Sequence, residues 1–358
     1  DSSTSRGLGD VYKRQIKMNL FNRILQISLA VIIFSASSFA NEVNLYSGRH
    51  YDSDEKLYAK FTAKTGIKVN VISGKGKALM QQIITEGNSS PADLFVTVDA
   101  GNLWKAQKEG LFQKITSSTV DSVVPKNLRG PNNEWVALAK RARIMYYNPR
   151  TVTAAELDGL TYEDLAKPEW NGRVVIRKSS NMYNQSLVAS LVANHGVDAT
   201  EAWANGLVAN MARKPEGNDR AQIMAVANGE ADIAVANSYY IALMLSGKKG
   251  TEQQAAANKV VPFFPGQNGR GTHINVSGIG LLKGPNTHNA VKLIDFLLSE
   301  EAQNHIVNNS FEYPLRDGVN AHPLIAQFGT DFKQDQTPVS SYGEFNPDAV
   351  KLMERAGW

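Results

Sequence analysis

Tyr239 and Tyr240 stand side by side after the apolar run Ala231-Asp-Ile-Ala-Val-Ala236 and the polar pair Asn237-Ser238. A phenol is a hard oxygen donor that binds a metal only as the phenolate. The cation must therefore be small and charged enough to displace protons whose ordinary pKa is about 10. Ferric iron meets that requirement. The same chemistry recurs twice. Arg49-His50-Tyr51 follows the first apolar run and supplies an imidazole and a phenol, and Tyr183 lies in the polar stretch Ser179-Ser180-Asn181-Met182-Tyr183-Asn184. His50, Tyr51, Tyr183, Tyr239 and Tyr240 make a five-ligand, oxygen-rich candidate set for Fe(III). Four phenolates outweigh the charge of one ferric ion, so a compensating cation is expected. The segment Lys140-Arg141-Ala142-Arg143 offers one, with Arg141 and Arg143 as candidates behind the ligands.

The elements that must position these groups alternate between strand and helix. Val43–Tyr46, Ile67–Ile72 and Asp93–Val98 read as strands, with helices over Asp54–Lys64 and Ala78–Thr85, a βαβαβ unit that predicts a parallel sheet with helices on both faces. Asp52 with Glu55 has capping-box spacing. Trp135–Tyr147 reads as one or two extended segments. A helix over 161–170, a strand over Arg173–Ile176, helices over Gln185–Asn194, Thr200–Met211 and 221–228, and the strand ending at Ala236 form a second α/β unit. Asn237-Ser238 is a good N-cap for a helix opening at Tyr239. Val260–Phe264 and His273–Leu282 then return the chain as strands before a helix over Asn289–Leu298 and a last one over Phe345–Ala356. All three tyrosine sites fall at predicted carboxyl ends of strands, where open α/β sheets bind ligands. The expected fold is α/β, a two-lobed clamshell with two hinge crossovers: 41–138 with 266–318 in the N-terminal lobe, 139–265 with 319–358 in the C-terminal lobe.

Residues 1–17 resemble a translated adapter and are set aside. From Met18, Arg23 forms a basic start, Ile24–Phe34 an apolar run of 11 residues and Ser38-Phe39-Ala40 a cleavage site, so 18–40 reads as a signal peptide rather than a span, which needs about 20 residues. Export to a periplasm and no stable membrane insertion follow as expectations. The chain has 38 basic and 34 acidic residues; setting aside the 5 and 2 in residues 1–40 leaves 33 and 32. A nearly neutral body with scattered charges carries no nucleic-acid footprint. The absence of cysteine excludes disulfides, thiolate metal sites and cysteine nucleophiles.

Weaker features read plainly. Ser73-Gly-Lys-Gly-Lys77 lacks Walker spacing and is a turn; His273 satisfies backbone near a crossover strand; His195, His288, His305 and His322 are surface residues; Glu300-Glu301 is a charged helix terminus. No nucleophile–base motif is present, so an enzyme is not expected.

Arg49-His50-Tyr51, the Tyr183 stretch, Asn237-Ser238-Tyr239-Tyr240, Arg270-Gly-Thr-His-Ile-Asn-Val-Ser-Gly278 and Phe311-Glu-Tyr-Pro-Leu315 together resemble the periplasmic ferric-iron-binding proteins of ABC transporters, across essentially all of 41–358. The resemblance implies the type II periplasmic-binding-protein fold, a monomer, delivery to an inner-membrane permease, and His50, Tyr51, Tyr183, Tyr239 and Tyr240 at the ligand positions of the branch that needs no obligatory anion. Two other readings stay open. A binding protein for an organic or oxyanion solute would want arginines to dominate the site, and a metalloenzyme would need an open coordination position and a general base.

Overall fold

The computed structural model describes residues 41–49 and 51–358. The adapter-like segment, the signal peptide and His50 lie outside the described residues. Eight strands and, among helices of seven residues or more, eleven follow in order. They are β1 Glu42–Ser47, α1 Ser53–Thr65, β2 Lys68–Ser73, α2 Gly76–Glu86, β3 Leu94–Val98, α3 Ala100–Lys108, β4 Trp135–Tyr147, β5 Val174–Val175, α4 Met182–His195, α5 Val197–Ala209, α6 Asp219–Ala227, β6 Ile233–Asn237, α7 Tyr239–Leu245, α8 Thr251–Ala257, β7 Val261–Phe263, β8 Ile274–Leu281, α9 Thr287–Leu297, α10 Glu300–Ser310 and α11 Asn346–Arg355.

The strands form one sheet in the order β2-β1-β3-β8-β4-β6-β5, with β7 also paired to β4. The expectation of a parallel sheet holds for β1 with β3 and for β5 with β6. The middle is antiparallel, because β8 returns from the second α/β unit and inserts between β3 and β4. β4 is one strand of 13 residues. Trp135 to Ala142 pair with β8, whereas Arg143 to Tyr147 pair with β6 and, near their end, with β7. The change of partner falls between the two arginines singled out above. Successive strand side chains alternate faces, so Arg141 and Arg143 share one face of β4 with different surroundings.

The core accounts for the pattern. Leu45, Phe95, Trp135, Val136, Ile144 and Val276 on the central strands, with Leu57 and Phe61 of α1 and Leu293 of α9, are all at most 1% exposed. Each such side chain contributes roughly 1.5–3 kcal/mol of hydrophobic burial. β4 is buried along nearly its whole length, cations included, because it is covered on both faces.

Several local expectations are corrected. Asp52 makes no capping hydrogen bond. The segment 161–170 is two short 3-10 turns, Glu163–Ala166 and Pro168–Trp170, since Pro168 cannot continue a helix. Glu300 and Glu301, by contrast, follow a helix and form a charged terminus as expected, the opening turn of α10; Ser299 caps it by accepting from the Ala302 amide. The His273 ring does not satisfy backbone: both ring nitrogens lack hydrogen-bond partners among the described residues, and the ring packs on Tyr342 with centroids 4.7 Å apart. His195 and His288 are exposed, but His305 and His322 are half-buried.

Candidate metal centre

Three of the four candidate tyrosines are held by first helical turns. α4 starts earlier than the sequence suggests, at Met182. Its N-cap Asn181 accepts a hydrogen bond from the Tyr183 amide at 3.0 Å, so Tyr183 stands in the first turn instead of a loop. α7 buries Ile241, Ala242 and Met244, which leaves Tyr239 and Tyr240 half-buried at its start. The expected Ser238 cap is not made. The Ser238 hydroxyl instead accepts from the Ala142 amide of β4 at 3.2 Å, tying the start of α7 to the point where β4 changes partners. Tyr51 precedes α1 and is half-buried as well.

These phenols converge. The Tyr239 hydroxyl lies 3.4 Å from the Tyr183 hydroxyl, and the Tyr239 and Tyr240 rings lie 4.3 Å apart at 37°. Burial is the main cause raising the Tyr239 phenol well above its ordinary pKa; the neighbouring Tyr183 and Tyr240 phenols add to it and Arg141 opposes it. Burial, followed by Tyr183, pushes Tyr240 up to about 12. Burial and then the Glu312 carboxylate raise Tyr51, while Arg49 and Arg141 act the other way and Tyr183 again adds. All three phenols are therefore protonated near neutral pH and would ionise only against a strong competing cation.

The two arginine candidates part company. Arg143 commits both terminal nitrogens to a buried network and leaves only Nε without a partner among the described residues: Nη1 meets Asp219 Oδ2 at 3.1 Å and Asn237 Oδ1 at 3.0 Å, and Nη2 meets Asn184 Oδ1 at 2.5 Å. Arg141 donates Nη1 to Glu312 and to Ser277 at 3.1 Å each, whereas its Nε and Nη2 are buried without a hydrogen-bond partner among the described residues. Its guanidinium carbon stands 5.4 Å from the Tyr183 ring centre. Arg141 thus places positive charge beside the phenols.

Sequence reading missed three contributors. Arg49 sits over the Tyr51 ring at 4.6 Å and pairs with Asp54 and Glu312. Arg177 lies 5.5 Å from the Tyr183 ring centre. Glu312, fully buried, takes both Arg49 and Arg141. Nothing local marks Glu312, because its partner Arg49 is 263 positions away. Among the described residues, no three His, Cys, Asp or Glu side chains gather as a metal cluster.

Residues 89–331 match the family of bacterial extracellular solute-binding proteins. The chain belongs to that family, a family of binding proteins rather than enzymes. It is 51% identical over 318 residues to Iron uptake protein A1 of Synechocystis sp., spanning 88% of this chain and 87% of that protein. It is 29% identical over 335 residues to the Major ferric iron-binding protein of Neisseria meningitidis serogroup A, spanning 92% and 97%. A solved structure of Trichodesmium IdiA (FutA) in complex with iron and citrate ligands matches with a TM-score of 0.85 at 53% identity, covering 88% of this chain and 99% of that one. The fold is accordingly that of the two-lobed type II binding proteins.

Proposed function

We propose that this protein captures ferric iron between its lobes through the phenolates of Tyr51, Tyr183, Tyr239 and Tyr240 together with His50, and that it passes the metal to an inner-membrane ABC permease. The observation that carries the reading is the approach of the Tyr239 and Tyr183 hydroxyls to 3.4 Å beneath a buried arginine with unpaired donors. The names of its relatives point the same way. Iron is the cargo here, not a resident cofactor.

The reading places the protein in the periplasm as a monomer exported by residues 18–40. Its lobes are 41–138 with 266–318 and 139–265 with 319–358. The change of β4 partners between Ala142 and Arg143 supports a crossover in this stretch. Tyr183, Tyr239 and Tyr240 belong to one lobe and load first; Tyr51 and His50 complete the shell as the other lobe closes.

The test is a visible absorbance titration of the purified protein with ferric citrate at neutral pH. A phenolate-to-iron charge-transfer band saturating at one iron per chain is the expected result. A protein that stays colourless and binds no iron would move the assignment to an organic or oxyanion solute, the alternative that the unpaired edge of Arg141 favours.

A further inference from the structure

Glu312 is buried, makes no hydrogen bond to Tyr51, Tyr183, Tyr239 or Tyr240, and yet joins the two halves of the site. Its Oε2 accepts from Arg49 Nη1 at 3.2 Å, and its Oε1 accepts from Arg141 Nη1 at 3.1 Å and from the Ser277 hydroxyl at 2.7 Å. Arg49 carries its guanidinium over Tyr51, and Arg141 carries its own beside Tyr183.

The backbone fixes that carboxylate from both sides. Phe311, in the left-handed conformation at φ 60°, closes α10. The Glu312 amide donates to the Ser310 hydroxyl at 3.2 Å, and Tyr313 exchanges two backbone hydrogen bonds with Lys140, the residue before Arg141. Arg141 and Glu312 are therefore locked in register by the chain itself.

The division of labour follows from donor count. A guanidinium has five N–H donors. Glu312 and Ser277 occupy Nη1 of Arg141, which leaves the Nε and Nη2 donors buried and unpaired near the phenols. Arg49 is oriented likewise, with Nε on Asp54 and Nη1 on Glu312. A flexible cation beside four phenolates would settle on whichever oxygen it reached, and fixed charge is worth more in a desolvated site than mobile charge.

We propose that Glu312 is a positioning residue for iron capture, holding Arg49 and Arg141 so that one cation backs Tyr51 and the other backs Tyr183. This rests on the ferric-iron reading above. Its own contribution is that the site's positive charge is set by a carboxylate outside the ligand shell.

The experiment compares wild type, Glu312→Gln and Ser277→Ala by ferric titration against citrate, by the position of the charge-transfer band and by thermal melting of the iron-free protein. Glu312→Gln is expected to weaken iron about tenfold or more, since it takes the charge from the contacts to both Arg49 and Arg141, and to move the band. A role confined to stability would lower the melting temperature and leave the band of the iron-loaded protein where it was. If Glu312→Gln does not fold, Ser277→Ala must still shift the band by a smaller amount, since it frees one of the three groups fixing Glu312. Bands and affinities equal to wild type in the folded variants overturn the positioning role and leave the iron reading intact. A wild-type protein without the band removes both.

Discussion

The hydroxyls of Tyr183 and Tyr239 lie 3.4 Å apart although 56 positions separate them in the chain. Each is presented by the first turn of a helix, α4 and α7, and these helices follow the parallel pair β5 and β6. In a parallel pair the ends of adjacent strands lie on the same edge, so the turns that follow them converge. Two phenols placed this closely in a half-buried setting gain little from each other as neutral groups. A cation between them would turn mutual repulsion of phenolates into shared ligation.

Removing the phenols from α7 tests this directly. Tyr239→Phe with Tyr240→Phe keeps both rings, whose 4.3 Å contact holds the start of the helix, and deletes two oxygens. Iron affinity measured by citrate competition is expected to fall by at least about 100-fold, with the melting temperature nearly unchanged, a loss on the scale of deleting metal-site contacts. Full affinity in the double variant would mean that the ligands lie elsewhere.

The direction of the pH dependence follows from the raised phenols. Tyr51 and Tyr239 are shifted up and Tyr240 reaches about 12, each chiefly by burial. They carry protons in the iron-free protein, and forming each phenolate–iron bond releases one. Affinity therefore rises with pH throughout the range below these pKa values and falls on acidification. An unbuffered titration should release about one proton per tyrosine ligand. Affinity that stays flat between roughly pH 6 and 8 contradicts proton-coupled phenolate binding.

Arg141 and Arg143 occupy the same face of one strand and should respond differently. Arg143→Gln leaves Asp219, which is fully buried, with Arg177 as its one charged partner among the described residues. Breaking a buried pair in this way costs about 3–5 kcal/mol, which chemical denaturation would register. Arg141→Gln also breaks a buried pair, leaving Glu312 to Arg49, and so should cost stability too, but it should in addition weaken iron binding and displace the absorption band. Equal effects of both variants on binding and on stability would erase the distinction.

Much of this was legible in the residues. Period-two and period-3.6 patterns located β1 to β3 with α1 and α2, and phenol chemistry together with position after predicted strands made Tyr51, Tyr183, Tyr239 and Tyr240 the candidates. The antiparallel insertion of β8 was not legible, since pairing partners leave no mark on a fully buried strand. Nor were the roles of Arg49 and Glu312, whose side chains meet across 263 positions. Ser238 illustrates the limit well. It has a good capping residue's identity and position, but the amide of Ala142 competes for its hydroxyl and wins.

Gly278 carries the last prediction, because local propensity and packing there have opposite signs. It lies in β8 with Thr97 of β3 on one side and Ala137 of β4 on the other, beside the irregularity between Ala137 and Ala139. Replacing glycine by alanine at a compatible position usually stabilises by roughly 0.4–1 kcal/mol by restricting the unfolded chain. Here an added Cβ would stand 2.8 Å from the Val136 carbonyl oxygen and 2.6 Å from Leu103 Cδ1. The leucine methyl can rotate away, but the carbonyl belongs to the β4 ladder that also carries Arg141. Gly278→Ala is therefore expected to destabilise by about 1–3 kcal/mol, the usual cost of overpacking. Shifting β4 also displaces Arg141, so iron affinity should fall with stability. A variant as stable as wild type in urea unfolding would show that β3, β8 and β4 have room to separate, and that Arg141 is held less rigidly than its hydrogen bonds indicate.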